Sequence, residues 1–130
     1  MKSLQEFKLH LTEEEKQEEF LQTDEIVYGI AFHPDFATNG FMYIGCNGDS
    51  ETLGKKATRV LRYHISRMPP YHCDRSSKTV IIEWASNGHN GGDLVFGHDR
   101  MLYVSAGDGT SDSDGNLAGQ DLTTIPGSMI

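Results

Sequence analysis

The feature that most limits the fold is a rhythm of short apolar runs, rich in Val, Ile, Tyr and Phe, that begins after Asp24 and is broken by Gly, Pro, Asn and Asp. That pattern is β-structure. The runs are IVYGIAF (26–32), FMYIGC (41–46), TRVLRYHIS (58–66), TVIIEWA (79–85), GDLVF (92–96) and MLYVSA (101–106). Six strands in series, with turn chemistry in each gap, predict sequential hairpins and hence an antiparallel meander. In the first gap, HPDFATNG, Pro34 and the Asn39-Gly40 pair force the turn. Ahead of the strands, between Leu9 and Thr23, Thr12 and Glu15 stand in capping-box spacing and acidic residues crowd the first turn. A short helix with a solvated acidic face is expected there, and no function is assigned to it. The chain so divides into an acidic helical segment, 1–24, and a β part, 25–130.

A weak internal repeat refines the β part. FMYIGCNGDS from Phe41 resembles MLYVSAGDGT from Met101, and each follows a run ending in Phe. A four-stranded unit that ends and begins again is the mark of a β-propeller blade, although this spacing exceeds the usual period of roughly 40–50 residues. Both faces of LVF and MLYV are apolar, as expected of a blade packed on each side. The fold expected is therefore all-β, with about one and a half blades present, and propellers need roughly four to eight. The expectation follows that the chain is a fragment of a longer one, and that its exposed sheet edges associate when it is made alone.

Charge removes several function classes. With 11 basic and 19 acidic residues, a formal net charge of −8 repels nucleic-acid phosphates and an anionic membrane surface. No apolar run is long enough to span a bilayer, and MKSLQEFKLHLTEEEK lacks the apolar core of a signal peptide. Cys46 and Cys73 form no close metal-ligand spacing, and their separation in sequence leaves a disulfide open.

The segment GHNGGDLVFGHDRMLYVSAGDG (88–109) is the candidate for chemistry. A two-residue turn at His98-Asp99 would pair Phe96 with Met101 and Leu94 with Tyr103, and further along would set His89 opposite Asp108. Opposed side chains approach closely enough for a carboxylate to fix an imidazole tautomer and raise its basicity, which suits a general base. The glycines around the pair leave room for a ligand or serve tight turns only. A histidine that merely hydrogen-bonds at a blade end remains the alternative.

Other candidates have plainer roles. The loop DGTSDSDGN (108–116) alternates acidic residues as calcium loops do, but counted from Asp112 the positions that need Gly and Glu hold Leu117 and Thr123. Asx-turns are the expected role. His33 belongs to a turn, His64 to a strand, and His72 and Cys73, adjacent in an extended loop, point apart. Trp84 is expected to pack between blades. No Walker, GxSxG or HExxH pattern occurs.

Taken together and in order, GIAFHPDFATNGFMYI, SNGHNGGDLVFG, MLYVSAGDGTSDSDGN and GQDL resemble the glucose/sorbosone dehydrogenase family, from about Val27 to the end. The resemblance implies a six-bladed propeller holding pyrroloquinoline quinone and calcium. It implies an aldose or sorbosone as substrate, a separate electron acceptor and, for the complete protein, a periplasmic or secreted location. It also implies that His89 takes the proton of a sugar hydroxyl and that Asp108 supports it. Asp24 stands where the family often has glutamine, Gly88 where it has aspartate, and Asp93 where it has arginine; Asp93 would repel an anionic quinone. Because the later blades supply most quinone and calcium ligands, this stretch alone is expected to bind neither and to be inactive. Members that recognise proteins without oxidising sugars supply the alternative, a non-catalytic binding module.

Overall fold

The computed structural model describes residues 25–115 and 117–130; the helix expected before Asp24 lies outside them. Six strands run β1 (Ile26–Phe32), β2 (Phe41–Ser50), β3 (Lys55–Ile65), β4 (Cys73–Ala85), β5 (Gly91–Phe96) and β6 (Leu102–Ala106). One helical turn, α1 (Phe36–Asn39), fills the first gap and ends at Gly40, whose φ of 66° suits a residue without Cβ. All six expected strands are present. They do not form one continuous meander: β1-β2-β3-β4 make a four-stranded antiparallel sheet, and β5-β6 begin a second. Ser128–Ile130 return beside β6, with Ile130 and Val104 exchanging backbone hydrogen bonds of 2.7 and 3.0 Å, so a third strand of the second sheet has started. The fold is one blade and the opening half of another.

Period-two alternation gives the first sheet two apolar faces. Met42 and Ile65 are buried on one face with Ile30, Phe32, Ile44 and Tyr63, and Phe36 of α1 packs on them. On the other face Ala31, Val60 and Trp84 meet Leu94, Val104 and Ala106 of the second sheet. Trp84 is thus the packing residue between sheets that its sequence context foretold. At the turn end of the seam the Phe96 ring stands edge-on to Tyr43, centroids 5.4 Å apart. The repeat read in sequence is the blade repeat: Tyr43 and Tyr103 lie on the second strand of their sheets, opposite Ala31 and Val95, each one residue before a Phe. β3 and β4, of 11 and 13 residues, are long for strands and lengthen the period.

Among the described residues the second sheet is covered on one face. Leu94 and Val104 are buried there, whereas Val95 and Tyr103 on the opposite face are 57% and 38% exposed. The apolar character of both faces is real, but within this chain packing reaches one of them. Cys46 is buried in β2 and Cys73 starts β4; no disulfide joins them.

Candidate active site

The β5–β6 hairpin departs from the expected register and still brings the expected pair together. Its turn is not the two-residue loop on His98-Asp99. Arg100 N–H bonds to Gly97 O and Gly97 N–H to Met101 O, both at 2.9 Å, and Arg100 adopts φ 68°. A three-residue loop with a left-handed third residue results. This moves β6 by one position, so Phe96 faces Leu102, Val95 faces Tyr103 and Leu94 faces Val104. The shift is reversed between Gly91 and Leu94, where a bulge inserts one extra residue in β5 and Gly91 faces Ala106. Gly91 and Gly92 at the bulge have φ of 72° and 91°, which side-chain-bearing residues rarely adopt. Beyond it the original pairing is restored.

At that open end His89 Nδ1 lies 3.3 and 3.4 Å from the two carboxylate oxygens of Asp108. The imidazole is 54% exposed and the carboxylate 18%. The backbone is stitched around the pair: His89 N–H donates to Thr110 O at 2.5 Å, and Gly109 N–H to His89 O at 3.0 Å. Gly107 is required there, since a Cβ on it would meet the His89 carbonyl oxygen at 1.9 Å. Asp108 Oδ1 accepts from the Thr110 N–H at 2.8 Å and its hydroxyl at 2.9 Å. These bonds from Thr110, with His89 adding less, hold the Asp108 carboxyl below the usual carboxylate range. An ionised Asp108 orders the imidazole with its proton on Nδ1. That tautomer leaves a lone pair on Nε2, which takes no hydrogen bond from a described residue.

The acidic loop behaves as turns. Asp108 caps Thr110, and the carboxylate of Asp114 accepts the N–H groups of Ala118 and Gly119 at 2.6 and 2.9 Å. Among the described residues no group of three or more His, Cys, Asp or Glu is placed to hold a metal ion. His33 serves its turn, with Nδ1 3.0 Å from the Asp35 nitrogen and 2.8 Å from Asn39 Nδ2. His64 sits opposite Phe41 in the β2–β3 ladder. Asp93 lies within the bulge with its N–H on Ser105 Oγ at 3.2 Å. Several cations are engaged elsewhere: Arg59 and Lys78 with Glu25, Arg100 with Asp35, and Arg67 with the carbonyls of Ala37 and Thr38. Lys55 and Lys56 line an open cavity of about 380 Å³ with Asn87 and Gly109.

Sequence reasoning passed over Asn90. Its carboxamide oxygen receives Ser86 Oγ at 2.5 Å, Gly88 N–H at 3.1 Å and Asn47 Nδ2 at 3.2 Å, and its Nδ2 donates to the Tyr28 hydroxyl at 2.9 Å. The available signal was an Asn within the glycine-rich stretch SNGHNGG, where such a side chain commonly satisfies nearby backbone groups.

The family model that matches residues 12–130 is that of glucose/sorbosone dehydrogenase. The chain belongs to this family. Among solved structures it is similar to the PQQ-bound form of aldose sugar dehydrogenase from Streptomyces coelicolor, with a TM-score of 0.63 and 25% identity over 83% of this chain and 30% of that one. Among curated proteins it is similar to the Hedgehog-interacting proteins of Homo sapiens and Mus musculus. Each is 33% identical over 107 residues, 78% of this chain and 15% of the relative. The chain thus spans about 15% of the length of those curated relatives. No helix of the described residues is long and apolar enough to cross a membrane.

Proposed function

We propose that these residues form the proton-accepting part of a quinone-dependent sugar dehydrogenase, with His89 as general base and Asp108 as its orienting partner. The observation that carries this reading is the contact of His89 Nδ1 with both Asp108 oxygens at 3.3 and 3.4 Å, on an imidazole that is 54% exposed. Nε2 accepts the proton of a sugar hydroxyl as the carbinol hydrogen departs with the C–H electron pair as hydride, and the carbon becomes a carbonyl. The Asp108 carboxylate stabilises the imidazolium that forms. Pyrroloquinoline quinone, held by the complete protein, would supply the hydride acceptor.

The described residues fit the base of this reaction better than the seat of its cofactor. Four cations are committed to partners away from the dyad, and Asp93 follows the glycine pair with the wrong charge for a carboxylate-bearing quinone. The groups that hold quinone and calcium are accordingly assigned to parts of the protein outside this stretch.

The test is dye reduction with aldoses by the complete protein loaded with quinone and Ca²⁺. Sugar- and quinone-dependent turnover is expected, falling by roughly 10²–10⁴ in His89→Gln. Turnover unchanged by that substitution removes His89 from the mechanism. A second reading, a non-catalytic β-propeller binding module, is favoured by the 33% identity to the Hedgehog-interacting proteins and by Asp93. Quinone-loaded protein that oxidises no aldose supports it.

A further inference from the structure

We propose that Asn90 is the positioning residue of His89, the point at which the first sheet fixes the imidazole of the second. This rests on the reading of His89 as a proton acceptor. Asn47 and Thr58 of the first sheet and Ser86, just past the end of β4, are 5%, 0% and 3% exposed, and all three bond to Asn90. Asn47 Nδ2 reaches its carboxamide oxygen at 3.2 Å, Ser86 Oγ the same oxygen at 2.5 Å, and Thr58 Oγ1 its backbone carbonyl at 3.3 Å. Asn47 Nδ2 also bonds Ser86 O at 3.0 Å, so the donors are themselves held in place.

Buried polar groups left without partners are costly, so these residues constrain where Asn90 can sit. Gly88 N–H on the same oxygen at 3.1 Å folds residues 86–90 into one loop. His89 lies inside that loop, between two anchored neighbours, and only its side chain is left outside. A fourth anchor comes from β1, whose pairing with β2 is irregular between Val27 and Gly29. Tyr28 is the extra residue of this bulge, and its hydroxyl accepts the Asn90 Nδ2 donor at 2.9 Å. Bulges commonly re-aim a side chain in this way. Three strands of the first sheet and the residue that follows β4 therefore converge on the residue after His89, while Asp108 reaches the imidazole from beyond the end of β6.

The experiment compares Asn90→Ala and Asn90→Asp in the complete protein, measuring kcat, KM and, with ¹⁵N-labelled histidine, the His89 tautomer by NMR. Asn90→Ala should lower kcat by roughly 100-fold, since small misplacements of a reacting group have effects of that order, with little change in KM. Its His89 should give signals of both tautomers in place of the Nδ1–H form. Asn90→Asp keeps an oxygen for Ser86, Gly88 and Asn47 and should retain the single tautomer and most of the rate. If Asn90→Ala does not fold, Tyr28→Phe decides, with an expected fall in kcat of roughly 2- to 10-fold. A folded Asn90→Ala with wild-type kcat and a single tautomer overturns the proposal, as does a Tyr28→Phe protein unchanged in both. If wild-type protein oxidises no sugar, the tautomer readout alone decides, which keeps failure of the proton-acceptor reading separate from failure of the positioning one.

Discussion

The two sheets share strand chemistry and differ in support. The first has four strands and buried residues on both faces; the second has two strands, the start of a third, and one buried face. An isolated two-stranded sheet is marginal in water. Yet the candidate base and its carboxylate both sit just past the open end of the smaller sheet. Its geometry is therefore borrowed: Leu94, Val104 and Ala106 pack on Trp84 and Val60, and Asn90 is bonded into the first sheet. A site of this kind is as ordered as the seam beneath it, and more ordered than its own hairpin would be if that hairpin stood free.

The largest break in this arrangement is Trp84→Ala. Trp84 is 5% exposed at the seam, and its removal should lower stability by about 3–5 kcal/mol in chemical denaturation, with amide exchange rising first in β5 and β6. Smaller and confined to the site is Gly107→Ala. The added Cβ meets the His89 carbonyl oxygen at 1.9 Å and should cost about 1–3 kcal/mol while moving the His89 signals in an NMR spectrum. Smallest is Val95→Ser on the 57% exposed face of the second sheet, which should change the denaturation midpoint by the equivalent of no more than about 0.5 kcal/mol. A Val95→Ser effect as large as that of Trp84→Ala would mean that both faces of the hairpin are packed.

The pH dependence sharpens the comparison at the dyad. Asp108 titrates below its ordinary value because Thr110 donates to it by backbone and hydroxyl, so its contribution to stability is present above about pH 4 and is lost as pH falls through the lowered value. Thr110→Val removes the hydroxyl donor only. The Asp108 carboxyl should then titrate closer to the ordinary range in a ¹³C-detected titration; an unchanged midpoint would show that the hydroxyl does not contribute.

Much of this was legible in the chain, for physical reasons that also explain the rest. Strand positions follow from local apolar periodicity, and β1 occupies the run read for it, Ile26–Phe32. The hairpin register was misread because the left-handed position is held by Arg100, which carries none of the usual turn signal of Gly or Asn, and because the Gly91-Gly92 bulge was not foreseen. The two misreadings cancel at His89 and Asp108. The contacts of Asn90 were beyond reach for a different reason: they join residues 43 and 62 positions apart, and only the meeting of two sheets creates them. The glycines around His89 marked the place without indicating that an asparagine among them holds it.

The most direct measurement of the central claim is kcat/KM for aldose oxidation by the quinone-loaded complete protein as wild type, His89→Gln, Asp108→Asn and the double variant. Residues that act as one unit show non-additive losses. The account predicts that Asp108→Asn is impaired and that the double variant is no slower than His89→Gln alone. Losses that multiply, or an Asp108→Asn protein with wild-type kcat/KM, would contradict it.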